Sequence, residues 1–224
     1  MRSAIVGGLL SILMMSSAAH ALPMNIALNQ PVTSSSENNA YGYTYVAGAV
    51  TDGKSGDTQP GGIYSYWIAQ DGVTSAFVTI DLGATYNITG LTVEDTHNQT
   101  YFDRGTNAFA IGFGGTALAA QNSASSSPVT TGAFSVSDWK SLTDVSITAA
   151  GTGRFVTFLA LSRYSNSPGD STGNGTSNPS TMSVGLNEIQ VFGTLPNAAV
   201  PEPISMVLLG SGLLGLIALR RRSV

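Results

Sequence analysis

The chain has 224 residues, of which 10% are charged, with 26 glycines, no cysteine and a formal net charge of −4. The absence of cysteine excludes a disulfide framework and a cysteine-based zinc or catalytic site. Between the two ends of the chain, five basic and twelve acidic residues give a net charge of −7. This balance argues against nucleic acid or an anionic membrane surface as a partner, and it is compatible with neutral glycans and divalent cations.

The N-terminal residues have the pattern of a secretory signal peptide. Arg2 provides a basic start, residues 4–15 form an apolar stretch, and a small-x-small cleavage site ends at Ala21. We therefore predict a signal helix over residues 1–21 that is removed when the protein is exported.

Short β-branched and aromatic runs follow in the middle of the chain. In the clearest of them, residues 77–82, Val78, Ile80 and Leu82 share one face through period-two alternation. A turn is expected at Gly83-Ala84. The further predicted strands are residues 88–93, 108–113, 135–142, 145–148, 154–161 and 188–192.

Two stretches between these strands have the composition of loops. Residues 120–131 and 165–183 are rich in Ser, Gly, Asn and Pro, and neither shows a core pattern. Several short strands separated by such loops predict an all-β domain at residues 25–194, built as an antiparallel β-sandwich of the jelly-roll type.

The C-terminal residues combine a Pro-Glu-Pro motif, a short apolar run and an arginine cluster. The motif ends a linker at residues 195–203, and the run at residues 204–219 has no charge. Its length of about 16 residues is slightly under the roughly 17 to 25 that cross a bilayer core. We predict a transmembrane helix there, with residues 220–224 as a basic cytoplasmic tail and the domain facing outwards. The signal residues are Pro201, Glu202, Pro203, Arg220, Arg221 and Arg222.

This order of features resembles the PEP-CTERM sorting signal of bacterial exosortase systems. The resemblance implies that an exosortase recognises and removes the tail during transfer to the cell surface or the extracellular matrix, in bacteria that make exopolysaccharide. The alternative is a permanent tail anchor, which would give the same outward topology. An ordinary anchor has no need of Pro-Glu-Pro, and this favours the sorting signal.

Six pieces of the middle of the chain form an ordered pattern. In chain order, they are residues 25–34, Ala49-Val-Thr-Asp-Gly53, Trp67, residues 77–84, Arg154-Phe-Val and Leu186-Asn-Glu-Ile-Gln-Val-Phe-Gly193. Together they resemble the discoidin, or coagulation factor type C, domains, which belong to the galactose-binding-like β-sandwiches, a group that also contains carbohydrate-binding modules. The stretch from Asp52 to Trp67 is longer than in that family, and the family's bridging cysteines are absent.

A calcium site is implied by the same resemblance. In that family a calcium ion often ties the loop after residue 49 to a glutamate near the C-terminal strand. The matching positions are Asp52, Asp57, Thr58 and Glu188. Carboxylate and hydroxyl oxygens are suitable ligands, because Ca²⁺ takes six to eight oxygens. Alternatively, Asp52-Gly53 is only a turn and Glu188 an exposed strand residue.

Aromatic and polar side chains in loop-like sequence are candidates for sugar contacts, because an aromatic ring covers the apolar face of a sugar while polar groups bind its hydroxyls. Tyr41, Tyr43 and Tyr45 belong to this class, but their alternation is equally that of an edge strand. Trp67 and Arg154 are expected to be structural. The predicted ligand-binding residues are Tyr64, Tyr66, His97, Asn98, Tyr101 and Arg104.

We do not expect the chain to be an enzyme. The domain has a single histidine, His97, without a Gly-x-Ser-x-Gly elbow, and no spacing selects a pair of acids for glycoside hydrolysis. Two functions remain. The domain is a carbohydrate-binding module that retains the protein in an exopolysaccharide matrix, or it is a structural or adhesion protein of the cell surface with protein partners.

Overall fold

The computed structural model describes residues 24–39, 43–56, 64–96, 104–134, 144–163 and 182–196. All of them belong to one unit, Pro23–Ala198. The predicted signal helix, transmembrane helix and basic tail lie outside the described residues, as does the predicted strand at residues 135–142. No helix in the described part of the chain has the length and apolarity needed to cross a membrane.

Antiparallel strands make up most of the described domain, as predicted. The strands are β1 (Met24–Asn25), β2 (Val32–Ser34), β3 (Trp67–Ile68), β4 (Ala76–Glu94), β5 (Ala108–Gly114), β6 (Thr130–Ala133), β7 (Asp144–Ile147), β8 (Gly151–Ala160), β9 (Gly185–Leu186) and β10 (Glu188–Thr194). A 3-10 helix lies at Ala47–Thr51, and an α-helix, α1, at Ala117–Ser126.

Strand β4 is the longest strand in the described residues, and it pairs with four others. Its first half pairs with β2 and β8, and its second half pairs with β10 and β7. The prediction of two strands separated by a turn at Gly83-Ala84 was wrong in this respect. The pairing register with β8 shifts between Asp81 and Tyr86. The chain then continues as the same strand, because β8 pairs with it on both sides of that shift.

The described strands form one eight-stranded sheet in the order β1-β10-β4-β8-β5-β6, in which β2 and β7 also pair with β4, and a two-stranded sheet of β3 and β9. The main core is a cluster of buried apolar side chains that includes Val78, Leu91, Phe158 and Ile189. The alternation in the sequence therefore identified the inward face correctly, and the β-sandwich is confirmed.

Helix α1 occupies a stretch that the sequence predicts to be a loop. Thr116 caps its N-terminus by accepting a hydrogen bond from the Ala119 N–H, at 3.2 Å, and Ala120 and Ala124 are buried one turn apart. The helix rests on the outer face of β5 at Gly112, where a Cβ atom would collide with the backbone of Ala120 and Ala124. Small residues on both elements allow this close contact, so the helix has no apolar stripe that its sequence could reveal.

Candidate functional site

Four tyrosines from two segments of the chain pack together, and we call them the tyrosine cluster: Tyr43, Tyr45, Tyr64 and Tyr66. The rings of Tyr45 and Tyr64 are stacked, with centroids 4.4 Å apart and an angle of 14° between their planes. Tyr66 packs against both at 5.1 and 5.5 Å. The Tyr43 ring meets Tyr64 edge to face at 5.4 Å. The cluster therefore holds together the chain around residues 43–45 and the entry to β3.

Exposure separates the members of this cluster. Tyr66 is completely buried and Tyr64 is 6% exposed, so the prediction that both would face a ligand is corrected: their rings support the cluster from within. The ring of Tyr43 is 42% exposed and rests on Tyr64. Loop-like sequence identified aromatic residues of the right type, but only packing decides which ring is outermost.

Arg104 is also held inside the fold. Its guanidinium is 9% exposed and donates to Asp71 Oδ1 at 2.7 Å, and the Asn38 side-chain amide donates to the same oxygen at 2.8 Å. A buried charge requires such partners, so the predicted sugar contact of Arg104 is corrected to a structural ion pair. The other residues predicted in its loop, His97, Asn98 and Tyr101, lie outside the described residues and stay predictions.

This polar network adjoins the tyrosine cluster. The backbone N–H of Tyr45 donates to the carbonyl of Asn38 at 3.2 Å, and the two residues form a β-bridge. Next to Arg104, the Gly105 N–H donates to the Ser183 carbonyl at 3.1 Å. An exposed aromatic ring and a fixed set of amide, carboxylate and guanidinium groups are thus linked through Asn38.

Two residues expected to be structural are so. Trp67 is completely buried, and its indole N–H donates to the Ser36 carbonyl at 2.8 Å. Arg154 forms a two-point ion pair with Asp81 at 2.7 and 2.8 Å. The hydrogen bond from Arg154 is the main reason why the pKa of the Asp81 carboxyl lies below its ordinary value.

A second candidate site lies where β10 and β4 pair at the loop after the 3-10 helix. Glu188 and Glu94 are direct cross-strand partners, and both are buried. The Gly53 N–H donates to the two Glu188 carboxylate oxygens at 3.2 and 3.3 Å, and the Gly56 N–H donates to Glu94 Oε1 at 2.7 Å. Gly53 has φ of +76°, a conformation that L-residues with side chains rarely adopt. The two glutamates therefore hold the loop by its backbone.

The pKa of Glu188 is raised, because its carboxyl is buried and faces a like charge. Like charges directly opposite each other destabilise a sheet. Burial is the largest cause that raises this pKa from 4.5 to about 8, and the negative charges of Asp52 and Glu94 raise it further. The Gly53 N–H and Lys54 act in the opposite direction. Lys54 is itself paired with Asp52 at 2.9 Å. Glu188 is therefore a buried carboxyl whose charge is only partly compensated.

The predicted metal ligands are partly brought together. Asp52 lies near Glu188, which is 2% exposed, so the alternative of an exposed strand residue is wrong. Asp57 and Thr58 lie outside the described residues. Sequence reasoning missed Glu94, which ends β4 and reaches this site only because of the register with β10.

A cavity of about 40 Å³ adjoins the two glutamates, enough for a small ion or a water molecule. No three His, Cys, Asp or Glu side chains within the described ranges are arranged to hold a metal ion. Any cation bound here would therefore need oxygens of other kinds as well. The residues that line the cavity are Ser55, Thr92, Glu94, Asp144, Glu188 and Gln190.

Comparisons with known proteins address the tail and the domain separately. Residues 199–222 match the family described as the PEP-CTERM protein-sorting motif. No curated protein matches the chain.

Solved structures resemble the domain at low sequence identity. The lectin domain of lectinolysin complexed with Lewis B antigen is 19% identical over 76% of this chain and 97% of its own, with a TM-score of 0.50. A truncated AlyQ with CBM32 and alginate lyase domains is 17% identical over 80% of this chain and 35% of its own, with a TM-score of 0.51. Chitosan-binding module 1 from a Paenibacillus sp. IK-5 chitosanase/glucanase is 18% identical over 76% of this chain and 99% of its own, at 0.45. The chain thus carries a PEP-CTERM sorting motif at residues 199–222, and its domain has the β-sandwich fold seen in the lectinolysin lectin domain.

Proposed function

We propose that this chain is an exported, exosortase-sorted protein whose β-sandwich binds carbohydrate at the cell surface or in the extracellular matrix. The observation that carries the proposal is Tyr43, a residue that is 42% exposed and whose ring packs on a cluster of three buried tyrosines. An exposed aromatic face stacks on the apolar face of a sugar ring and leaves the sugar hydroxyls to neighbouring polar groups. The role is one of binding, without catalysis.

The tyrosine cluster is suited to this task because its rings pack against one another. The stacked pair Tyr45 and Tyr64 holds the base, and Tyr43 meets it edge to face. A side chain that is ordered before binding loses little conformational entropy when the ligand arrives. The Asn38, Asp71 and Arg104 network is joined to the cluster by the backbone pairing of Asn38 with Tyr45, and it supports the cluster from inside the fold.

The sorting motif supports the location. A Pro-Glu-Pro sequence, an apolar run and an arginine cluster suit a protein that is held in the inner membrane during transit and released after cleavage. Intact mass measurement of the protein recovered from its native host tests this. A mature chain that lacks residues 1–21 and ends near the Pro-Glu-Pro motif is expected. A mass that includes residues 204–224 would instead indicate a permanent anchor.

Carbohydrate binding is tested with the full chain and the exposed tyrosine. Affinity electrophoresis in gels containing the host's own exopolysaccharide should retard the wild type, and Tyr43→Ala should lose most of the retardation. Leu118→Ala is the matched control, because Leu118 is an exposed apolar residue, 65% exposed, on α1. If the wild type is not retarded by the host polysaccharide or by any glycan on an array, the surface adhesion function with protein partners is favoured instead.

We also propose a structural calcium ion at the acidic pair of Glu94 and Glu188, with Asp52 nearby. The residues fit a hard cation, because buried carboxylates oppose each other beside a small cavity lined by oxygen-bearing side chains. When bound, calcium would supply the positive charge that Lys54, already paired with Asp52, only partly provides. Glu188 and Glu94 would hold the loop around Gly53 and Gly56 in either case through their backbone hydrogen bonds.

A further inference from the structure

A groove lies on the outer face of the sheet, between α1 and the strands β4 and β8. Its volume is about 240 Å³. This is below the roughly 300–1,000 Å³ typical of sites for drug-sized ligands, so the groove is suited to a smaller molecule. Its lining residues are Phe77, Gln121, Asn122, Ser125, Thr157 and Leu159.

The floor of the groove combines an apolar pair of side chains with a neighbouring pair of hydroxyl groups. Phe77 and Leu159 are cross-strand partners on β4 and β8, and both are only partly buried. Two residues further along, the hydroxyls of Thr79 and Thr157 are 2.9 Å apart. The Gln121 side-chain amide donates to Thr79 Oγ1 at 3.3 Å. The floor therefore offers an apolar surface next to a fixed hydrogen-bonded chain.

Helix α1 forms the wall of the groove and presents polar groups to it. Asn122 and Ser125 are exposed, and they lie three residues apart, which places them on one side of the helix. The helix can lie this close to the sheet because Gly112 leaves room for its backbone. The Asn122 amide can both donate and accept hydrogen bonds, while the Ser125 hydroxyl, which donates to the Asn122 carbonyl at 3.2 Å, offers its oxygen as an acceptor.

We propose that this groove is a second saccharide site, which binds one neutral sugar ring with an apolar face on Phe77 and Leu159 and its hydroxyls towards Asn122, Ser125 and Gln121. None of the lining residues is charged, which selects a neutral sugar over a uronate. The site does not depend on Tyr43. A chain with two saccharide sites would bind a polysaccharide more tightly than either site alone, because the second contact becomes intramolecular once the first has formed.

The test uses the full chain in a detergent without a sugar headgroup. Saturation-transfer NMR is recorded with D-glucose, D-galactose, N-acetyl-D-glucosamine and L-fucose, and with D-galacturonate as the charged comparison. The variants are made in the Tyr43→Ala background, so that the tyrosine cluster contributes no signal. Ser125→Leu fills the mouth of the groove, and Ser126→Leu is the matched control on the same exposed helix, because Ser126 does not line the groove.

We expect at least one neutral sugar to receive saturation in the Tyr43→Ala background, with D-galacturonate receiving at least fivefold less. Ser125→Leu should reduce the transfer at least tenfold and Asn122→Ala about three- to tenfold, whereas Ser126→Leu should stay within twofold. Equal transfer for Ser125→Leu and Ser126→Leu would overturn the proposal, as would no transfer to any neutral sugar. If Tyr43→Ala alone removes all transfer seen with the wild type, the groove is not a site while the proposed function stands. If the transfer in the Tyr43→Ala background is lost with Ser125→Leu and kept with Ser126→Leu, the groove is supported independently of the tyrosine cluster.

Discussion

The tyrosine cluster and the acidic pair of Glu94 and Glu188 are both buried groups that hold a loop, but their energetics are opposite. In the cluster, burial of three rings is favourable in itself, and one ring is left over at the surface. In the acidic pair, burial is unfavourable in itself, and the site depends on backbone N–H groups and on further compensation of charge. A ligand is therefore expected on the outside of the first region and inside the second.

The largest effect should follow from removing a supporting ring. Tyr66→Ala is expected to lower the free energy of unfolding by about 3–5 kcal/mol, the usual range for a large aromatic residue replaced in a core. Chemical denaturation of the full chain in detergent measures it. Tyr43→Ala should cost less than about 1 kcal/mol, because its ring is already 42% exposed. Similar losses for the two variants would contradict the division between support and platform.

The acidic pair is tested by stability as a function of pH, with calcium chelated. Because the pKa of Glu188 is raised from 4.5 to about 8, the folded state binds more protons than the unfolded state between these values. Stability should therefore fall as pH rises from about 5 to 8, and one unit of pKa difference corresponds to about 1.4 kcal/mol. Thermal melts at a series of pH values show it as a falling Tm.

Adding Ca²⁺, and separately replacing Glu188 by Gln, extends the measurement of Tm as a function of pH. Excess Ca²⁺ should raise the Tm at pH 8 by several degrees and remove most of the fall, since a ligand that binds only the folded state stabilises it. Glu188→Gln should lose both the fall with pH and the response to calcium, while all other titrating groups stay the same. An identical Tm in Ca²⁺ and in chelator at pH 8 would sink the calcium proposal and leave a protonated Glu188 as the latch of the loop.

The ion pair of Arg104 should give a smaller effect. Arg104→Met keeps the length of the side chain but leaves Asp71 with only the Asn38 amide among the partners described above. We expect a loss of about 1–2 kcal/mol, below that of a fully buried pair, because the side chain of Asp71 is 27% exposed. Denaturant titration measures it, and unchanged stability combined with lost glycan binding would show that Arg104 contacts the ligand after all.

Prediction from sequence succeeded where one strand determines its own pattern. The alternation of Val78, Ile80 and Leu82 identified the inward face of β4, and all three are buried. Trp67 and Arg154 were correctly expected to be structural. The prediction of a loop at residues 120–131 was wrong for α1, because the burial of Ala120 and Ala124 against Gly112 involves no large apolar side chain.

The candidate sites could be predicted only by residue type. Tyrosines in loops suggested a sugar site, but the outer position of Tyr43 depends on two segments, separated in the chain, that pack against each other. Glu188 was predicted to be a metal ligand through a resemblance, whereas its neighbour Glu94 was not singled out, because their proximity follows from the register between β4 and β10. The exposure of Tyr43 and the proximity of Glu94 to Glu188 both depend on partners that are distant in sequence.

The sequence by itself determined the β class of the domain and the sorting motif at residues 199–222. A signal-peptide pattern, a Pro-Glu-Pro motif with its apolar run and arginines, and short alternating strands are local features, and local features can be read in one dimension. The tertiary structure alone decided which tyrosine is exposed, which acids meet, and that a helix and two strands enclose a groove. These outcomes depend on strand register and on contacts between distant residues. Burial then shifts the pKa of a carboxyl and decides the accessibility of a ring.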